Sequence, residues 1–150
     1  MAPAGTTVYS GRFEHTLDDK NRLTIPSLWR WAHTDTETFL AMPHPDRYIA
    51  VLPPARVAKL IAQVSEMKLS DQDAQAVKSK IFSEALSFTF DKQGRFGISA
   101  DLLRHAGIAK DAVLGGMGDT FNILSPARWT DMQRSTAGAN FGDMMRRIGL

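Results

Sequence analysis

One ten-residue stretch occurs twice in this chain, and any fold for it must treat the two copies alike. The first copy is Leu17-Asp18-Asp19-Lys20-Asn21-Arg22-Leu23-Thr24-Ile25-Pro26, and the second is Phe90-Asp91-Lys92-Gln93-Gly94-Arg95-Phe96-Gly97-Ile98-Ser99. Each reads as an apolar strand end, an acidic opener, a tight polar turn, an arginine and a second short apolar strand. Asp18 and Asp91 suit the first turn position, where a short carboxylate accepts hydrogen bonds from backbone N–H groups further on. Asn21 and Gly94 fall at equivalent places, and these residue types tolerate the positive φ that a tight turn demands. The shared product is an arginine, Arg22 or Arg95, projected from a hairpin tip.

The repeat is wider than the turn. Adding 73 to a number in the first half carries Asp18 to Asp91, Arg22 to Arg95, Ile25 to Ile98 and Tyr48 to Phe121, and adding 72 carries Pro54-Ala55-Arg56 to Pro126-Ala127-Arg128. Both halves read strand, turn, strand, short helix, strand, strand, longer helix. In the first half the pattern predicts strands over 8–17, 39–42 and 48–52, a short helix over 27–32, and a loop over 43–47. Trp29 and Trp31 fall on different faces of that short helix, so one belongs to the core and the other is partly exposed. Pro53 and Pro54 open a helix whose Val57, Leu60, Ile61, Val64 and Met67 form one apolar stripe. Ser70 and Asp73 predict a cap for a second helix, ending near Glu84 and burying Ala74, Val77, Ile81 and Phe82. Strand character returns over 86–90. Gly115–Asp119 predicts a turn between two strands, and 127–133 and 141–148 predict a final helical pair separated at Gly138. Two β-rich half-units of about fifty residues are each too small to bury a core. The expected fold is therefore α+β: two tandem half-units interlocked as one pseudo-twofold β-barrel, flanked by helices.

Composition excludes more than it assigns. The 150 residues are ordinary for a soluble globular domain, with 43% apolar and 23% charged residues. No apolar run approaches a membrane span, and the polar, frayed opening 1–7 lacks the regions of a signal peptide. The absence of cysteine excludes disulfides and thiolate metal sites and is compatible with a reducing cytoplasm. A net charge of +2 permits nucleic-acid binding without indicating it. His15, His33, His44 and His105 show no metal-ligand spacing, no G-x-S-x-G nucleophile motif is present, and the glycines at 115–118 lack the lysine and following helix of a phosphate loop. Neither a catalytic site, a metal, a cofactor nor a small-molecule substrate is expected.

What remains is the duplicated turn. A lone turn arginine is usually only solvated, but here the display is built twice, and Arg12, Lys20 and Lys92 would add positive charge to the same surface. Asp18 and Asp91 read as turn-capping carboxylates that can also orient the neighbouring guanidinium.

The run from Tyr9 to Pro26 resembles the opening of the MraZ family, bacterial regulators linked to the division and cell-wall gene cluster. Phe90–Arg95, Leu103–Ile108 and Phe121–Trp129 resemble that family's second repeat. The resemblance spans roughly residues 8–135. It implies tandem AbrB-like repeats at 8–56 and 85–128, bridging helices at 57–84 and a C-terminal helical segment at 129–150. It further implies a ring-shaped homo-oligomer, associated with the nucleoid, that binds double-stranded promoter DNA with short repeats. DNA would be contacted through Arg22 and Arg95, supported by Lys20, Lys92 and Arg12, with Asp18, Asp91, Asn21 and Gly94 shaping the turns. The family pattern has glycine where Asn21 stands, and an apolar residue and a proline where Gly97 and Ser99 stand, so the second copy is the more divergent. Gly97 should weaken its strand or mark a bulge. Two other readings of the same residues remain: an interaction module whose turns bind an acidic protein, and an antitoxin-like AbrB module.

Overall fold

The computed structural model describes residues 7–31, 33–34, 36–67, 70–137 and 140–150. The expected fraying at 1–6, the end of the short helix at Ala32 and the break at Gly138 lie outside them. The chain runs β1 (Arg12–Thr16), β2 (Arg22–Thr24), α1 (Ser27–Arg30), β3 (Phe39–His44), β4 (Tyr48–Leu52), α2 (Pro54–Glu66) and α3 (Asp71–Glu84). It continues as β5 (Leu86–Phe88), β6 (Arg95–Gly97), α4 (Ala100–Ala106), β7 (Asp111–Gly116), β8 (Phe121–Leu124), α5 (Pro126–Ala137) and α6 (Phe141–Arg147).

Six strands form an antiparallel sheet in the order β1-β7-β8-β4-β3-β5, and β2 pairs with β6 in a separate two-stranded ribbon. Exchanging each strand for its repeat equivalent reverses the six-strand order onto itself and leaves the ribbon unchanged. The pseudo-twofold axis thus passes between β8 and β4, and the two halves interlock at four pairings: β1–β7, β3–β5, β4–β8 and β2–β6.

Two expectations need correction. The sheet is not closed into a barrel among the described residues: β1 and β5 are its two edges. Each edge strand leads into an arginine turn, and the strand leaving that turn departs to the ribbon, so the sheet has nothing left with which to close. For the same reason the turns are not hairpin tips in the usual sense. The strands flanking each turn pair with the other half rather than with each other.

Alternation along the ribbon sets its two faces. Leu23, Ile25, Phe96 and Ile98 point into the core, all less than 5% exposed, while Arg22, Thr24 and Arg95 lie on the outer face. Trp29 is fully buried at the centre, edge-on to Tyr9 and Phe13, whereas Trp31 is 82% exposed. Phe88 stacks on Phe96 with ring centroids 3.9 Å apart, tying the ribbon to the six-stranded sheet.

Local signals mostly held. Ser70 Oγ accepts from the Asp73 N–H at 3.2 Å, as a helix cap should; of the glycine-rich segment, Gly115 and Gly116 extend β7 and only the residues after them form the connection to β8. Pro43, expected in a loop, lies in β3 opposite Ile49. Because β5 pairs only with residues 39–41, Pro43 sits past its end, where a missing N–H costs no ladder bond. The α2 stripe is only partly covered: Val64 is buried, but Ile61 and Met67 are 50% and 43% exposed, and on α3 Phe82 is exposed. No helix among the described residues is long and apolar enough to cross a membrane.

Candidate nucleic-acid interface

Each turn is organised by its aspartate. Asp18 Oδ1 accepts the backbone N–H groups of Lys20 at 2.9 Å and Arg22 at 2.8 Å, and Oδ2 accepts Arg22 Nε–H at 2.7 Å. Asp91 repeats the arrangement atom for atom, with Gln93 N–H, Arg95 N–H and Arg95 Nε–H each at 2.9 Å. One carboxylate therefore caps the turn and fixes its arginine. The backbone closes identically too: Asn21 N–H donates to Asp18 O at 3.0 Å and Gly94 N–H to Asp91 O at 2.9 Å. Asn21 and Gly94 hold the expected positive φ, 57° and 76°.

The two turns lie side by side because the ribbon binds each to the other. Ile25 N–H donates to Gly94 O at 2.9 Å, and Ile98 N–H donates to Asn21 O at 3.0 Å. Arg95 Nη1 comes 3.8 Å from Asp18 Oδ2, so the four charged groups form one continuous cluster. Hydrogen bonding to Arg22 N–H, foremost, holds the Asp18 carboxyl below its ordinary value; the Arg22 side chain and Lys20 N–H add to this, against partial desolvation. Asp91 is held low in the same way, chiefly by Arg95 N–H. Both carboxylates are charged at neutral pH and keep their guanidiniums oriented.

Neither arginine is tucked into the interior: the side chains of Arg22 and Arg95 are 30% and 25% exposed. Lys20 and Lys92 are exposed on their turns. Arg12 is not part of this cluster. It starts β1, with Leu17 and the rest of the strand between it and the turn, and its guanidinium lies 5.9 Å above the Trp129 ring and 4.0 Å from Glu14. Gly97 causes no bulge; it pairs in register opposite Arg22. Ser99 replaces the helix-starting role of Pro26 with a hydroxyl cap, accepting Leu102 N–H at 3.3 Å.

Arg30 was not singled out from the sequence. Its Nε–H donates to Ile25 O at 2.7 Å, and its guanidinium lies against Gly94 so closely that a Cβ there would overlap it. Ser27, Arg30, Trp31, Asp91 and Lys92 line the cleft beside the second turn. No sequence signal places an α1 residue against the opposite half's turn, since that contact exists only because β2 and β6 cross over.

Comparison with known proteins identifies the family. The family model described as "MraZ protein, putative antitoxin-like" matches residues 81–148. A protein of Leuconostoc mesenteroides named "Transcriptional regulator MraZ" is 33% identical over 130 residues, covering 87% of this chain and 90% of that one. Proteins of the same name from Thermomicrobium roseum and Lactiplantibacillus plantarum are each 34% identical, over 81% and 94% of this chain and 84% and 98% of theirs. On relatedness of this extent across nearly the whole length, the chain belongs to the MraZ family.

Proposed function

We propose that this protein is a transcriptional regulator that binds double-stranded DNA through its paired arginine turns. The observation that carries the reading is the atom-for-atom duplication of an Asp-oriented guanidinium, set twice on one outer ribbon face. Arginine is the side chain best suited to the O6 and N7 edge of guanine, and one such contact discriminates by about 1–3 kcal/mol. Lys20, Lys92 and Arg30, around the same turns, supply phosphate contacts that position without reading sequence. Arg12, at the far end of β1 from the first turn, would add positive charge outside the turns themselves. A single protomer with two reading turns binds weakly. Its copies, joined as a homo-oligomeric ring, would engage short repeated sites together and multiply affinity through effective concentration. The resemblance to MraZ regulators makes the division and cell-wall promoter the first DNA to test.

Arg22→Ala is expected to abolish sequence-specific complexes in a mobility-shift assay while the size of the free oligomer stays unchanged. Undiminished specific binding would remove the first turn from the reading surface. The antitoxin-like description of the family model supports one other reading, in which the turns grip an acidic protein. Salt titration separates them: DNA binding declines steeply with salt and prefers its own site over scrambled sequence.

A further inference from the structure

The two turns share a backbone but not a free hydrogen-bonding edge. Among the described residues the Arg22 side chain is held at Nε alone, and neither terminal nitrogen is hydrogen-bonded. Arg95 is held at Nε by Asp91 and also donates from Nη2 to Gln93 Oε1 at 2.7 Å, while Nη1 faces Asp18 at 3.8 Å. The repeat equivalent of Gln93 is Lys20, so the first turn has no such clamp. Guanidinium carries only donors, so the Gln93 atom it meets must be the carbonyl oxygen, and the amide nitrogen points elsewhere.

We propose, building on the DNA-binding reading above, that Gln93 is a specificity-determining residue and makes the second turn read a different base from the first. The unclamped Arg22 offers the two-pronged edge that guanine accepts. Arg95, tied by Nε to Asp91 and by one Nη2 hydrogen to Gln93, is more restrained than Arg22 and serves as a positioning residue, and the exposed Gln93 becomes the reading group. A glutamine amide pairs with adenine, its nitrogen donating to N7 and its oxygen accepting from N6. The Gln93 oxygen retains a second lone pair for that purpose while it holds Arg95. One protomer would then recognise an unsymmetrical element, with guanine under the first turn and adenine under the second, despite its pseudo-twofold backbone.

The test is selection of bound sequences from a random duplex pool with the full chain, run in parallel for the unsubstituted protein, Gln93→Ala, Gln93→Lys and Arg22→Ala. Gln93 is exposed and makes no backbone-shaping side-chain contact, so its variants should keep the native oligomer size. The expected result is an enriched motif with one guanine-dependent and one adenine-dependent position. Gln93→Ala should lower adenine preference by about tenfold at the latter alone, the scale of one lost bidentate base contact. Gln93→Lys should shift that position towards the base read by the first turn. A motif unchanged by both Gln93 substitutions, while Arg22→Ala enriches no motif at all, would overturn the assignment of Gln93 and leave DNA binding standing. If the unsubstituted protein enriches no sequence, the DNA reading fails and this assignment falls with it.

Discussion

Asp18 and Asp91 each serve three donors, so the turns should respond to acid as a pair. Their carboxyls titrate below the ordinary value of 3.8 in the folded protein, chiefly because the Arg22 and Arg95 N–H groups bind the charged form. On acidification the unfolded chain takes up these protons first, and protons therefore favour unfolding. The stabilisation is fully present above about pH 4 and is lost as pH falls through the depressed folded-state values. Thermal unfolding followed from pH 7 to pH 2 should show this loss, and Asp18→Asn with Asp91→Asn should flatten it while lowering stability at neutral pH. These residues were legible because a carboxylate four positions before an arginine, with Asn or Gly between, has few other uses. Lys20 and Lys92 were correctly placed on the turns. Arg12 does not adjoin the turns, because a five-residue strand carries a side chain well away from the turn that follows it.

At the scale of elements, the second turn depends on a glycine for two independent reasons. Gly94 has φ 76°, and its α-carbon is covered by the Arg30 guanidinium. Gly94→Ala should cost roughly 1–2 kcal/mol for the left-handed backbone alone, and more if Arg30 gives up its bond to Ile25 O. Asn21→Ala meets only the first penalty, so denaturant unfolding should rank Gly94→Ala as the more damaging. The number and order of strands and helices followed from periodicity and punctuation. Their partners did not. A turn between two short strands reads as a hairpin in any single sequence, and nothing local tells β2 to leave β1 for β6. Pro43 illustrates the same limit: whether a proline ends a strand depends on whether a neighbour needs its N–H, and that neighbour, β5, lies more than forty residues away.

At the scale of the molecule, four strand pairings join the halves, and the ribbon exists only between them. A fragment of residues 1–84 or 85–150 should therefore not fold as a monomer. Its circular-dichroism signal should be weak in dilute solution and grow only where two fragments associate, each supplying the partner strand the other lacks. A half that folds independently of concentration would contradict the interlocked arrangement. The pseudo-twofold order itself was foreseeable from the 73-residue offset, because half-units this small have no core of their own. The open sheet was not, since closure turns on where each edge strand goes next. The reciprocal bonds from Ile25 to Gly94 and from Ile98 to Asn21 have one more result. They act as the fixed jaws of a calliper: neither fingertip can slide outward without dragging the opposite one along. Under the proposed function such a device gauges distance along the duplex as well as base identity, so correctly lettered but wrongly spaced sites would slip from its grasp.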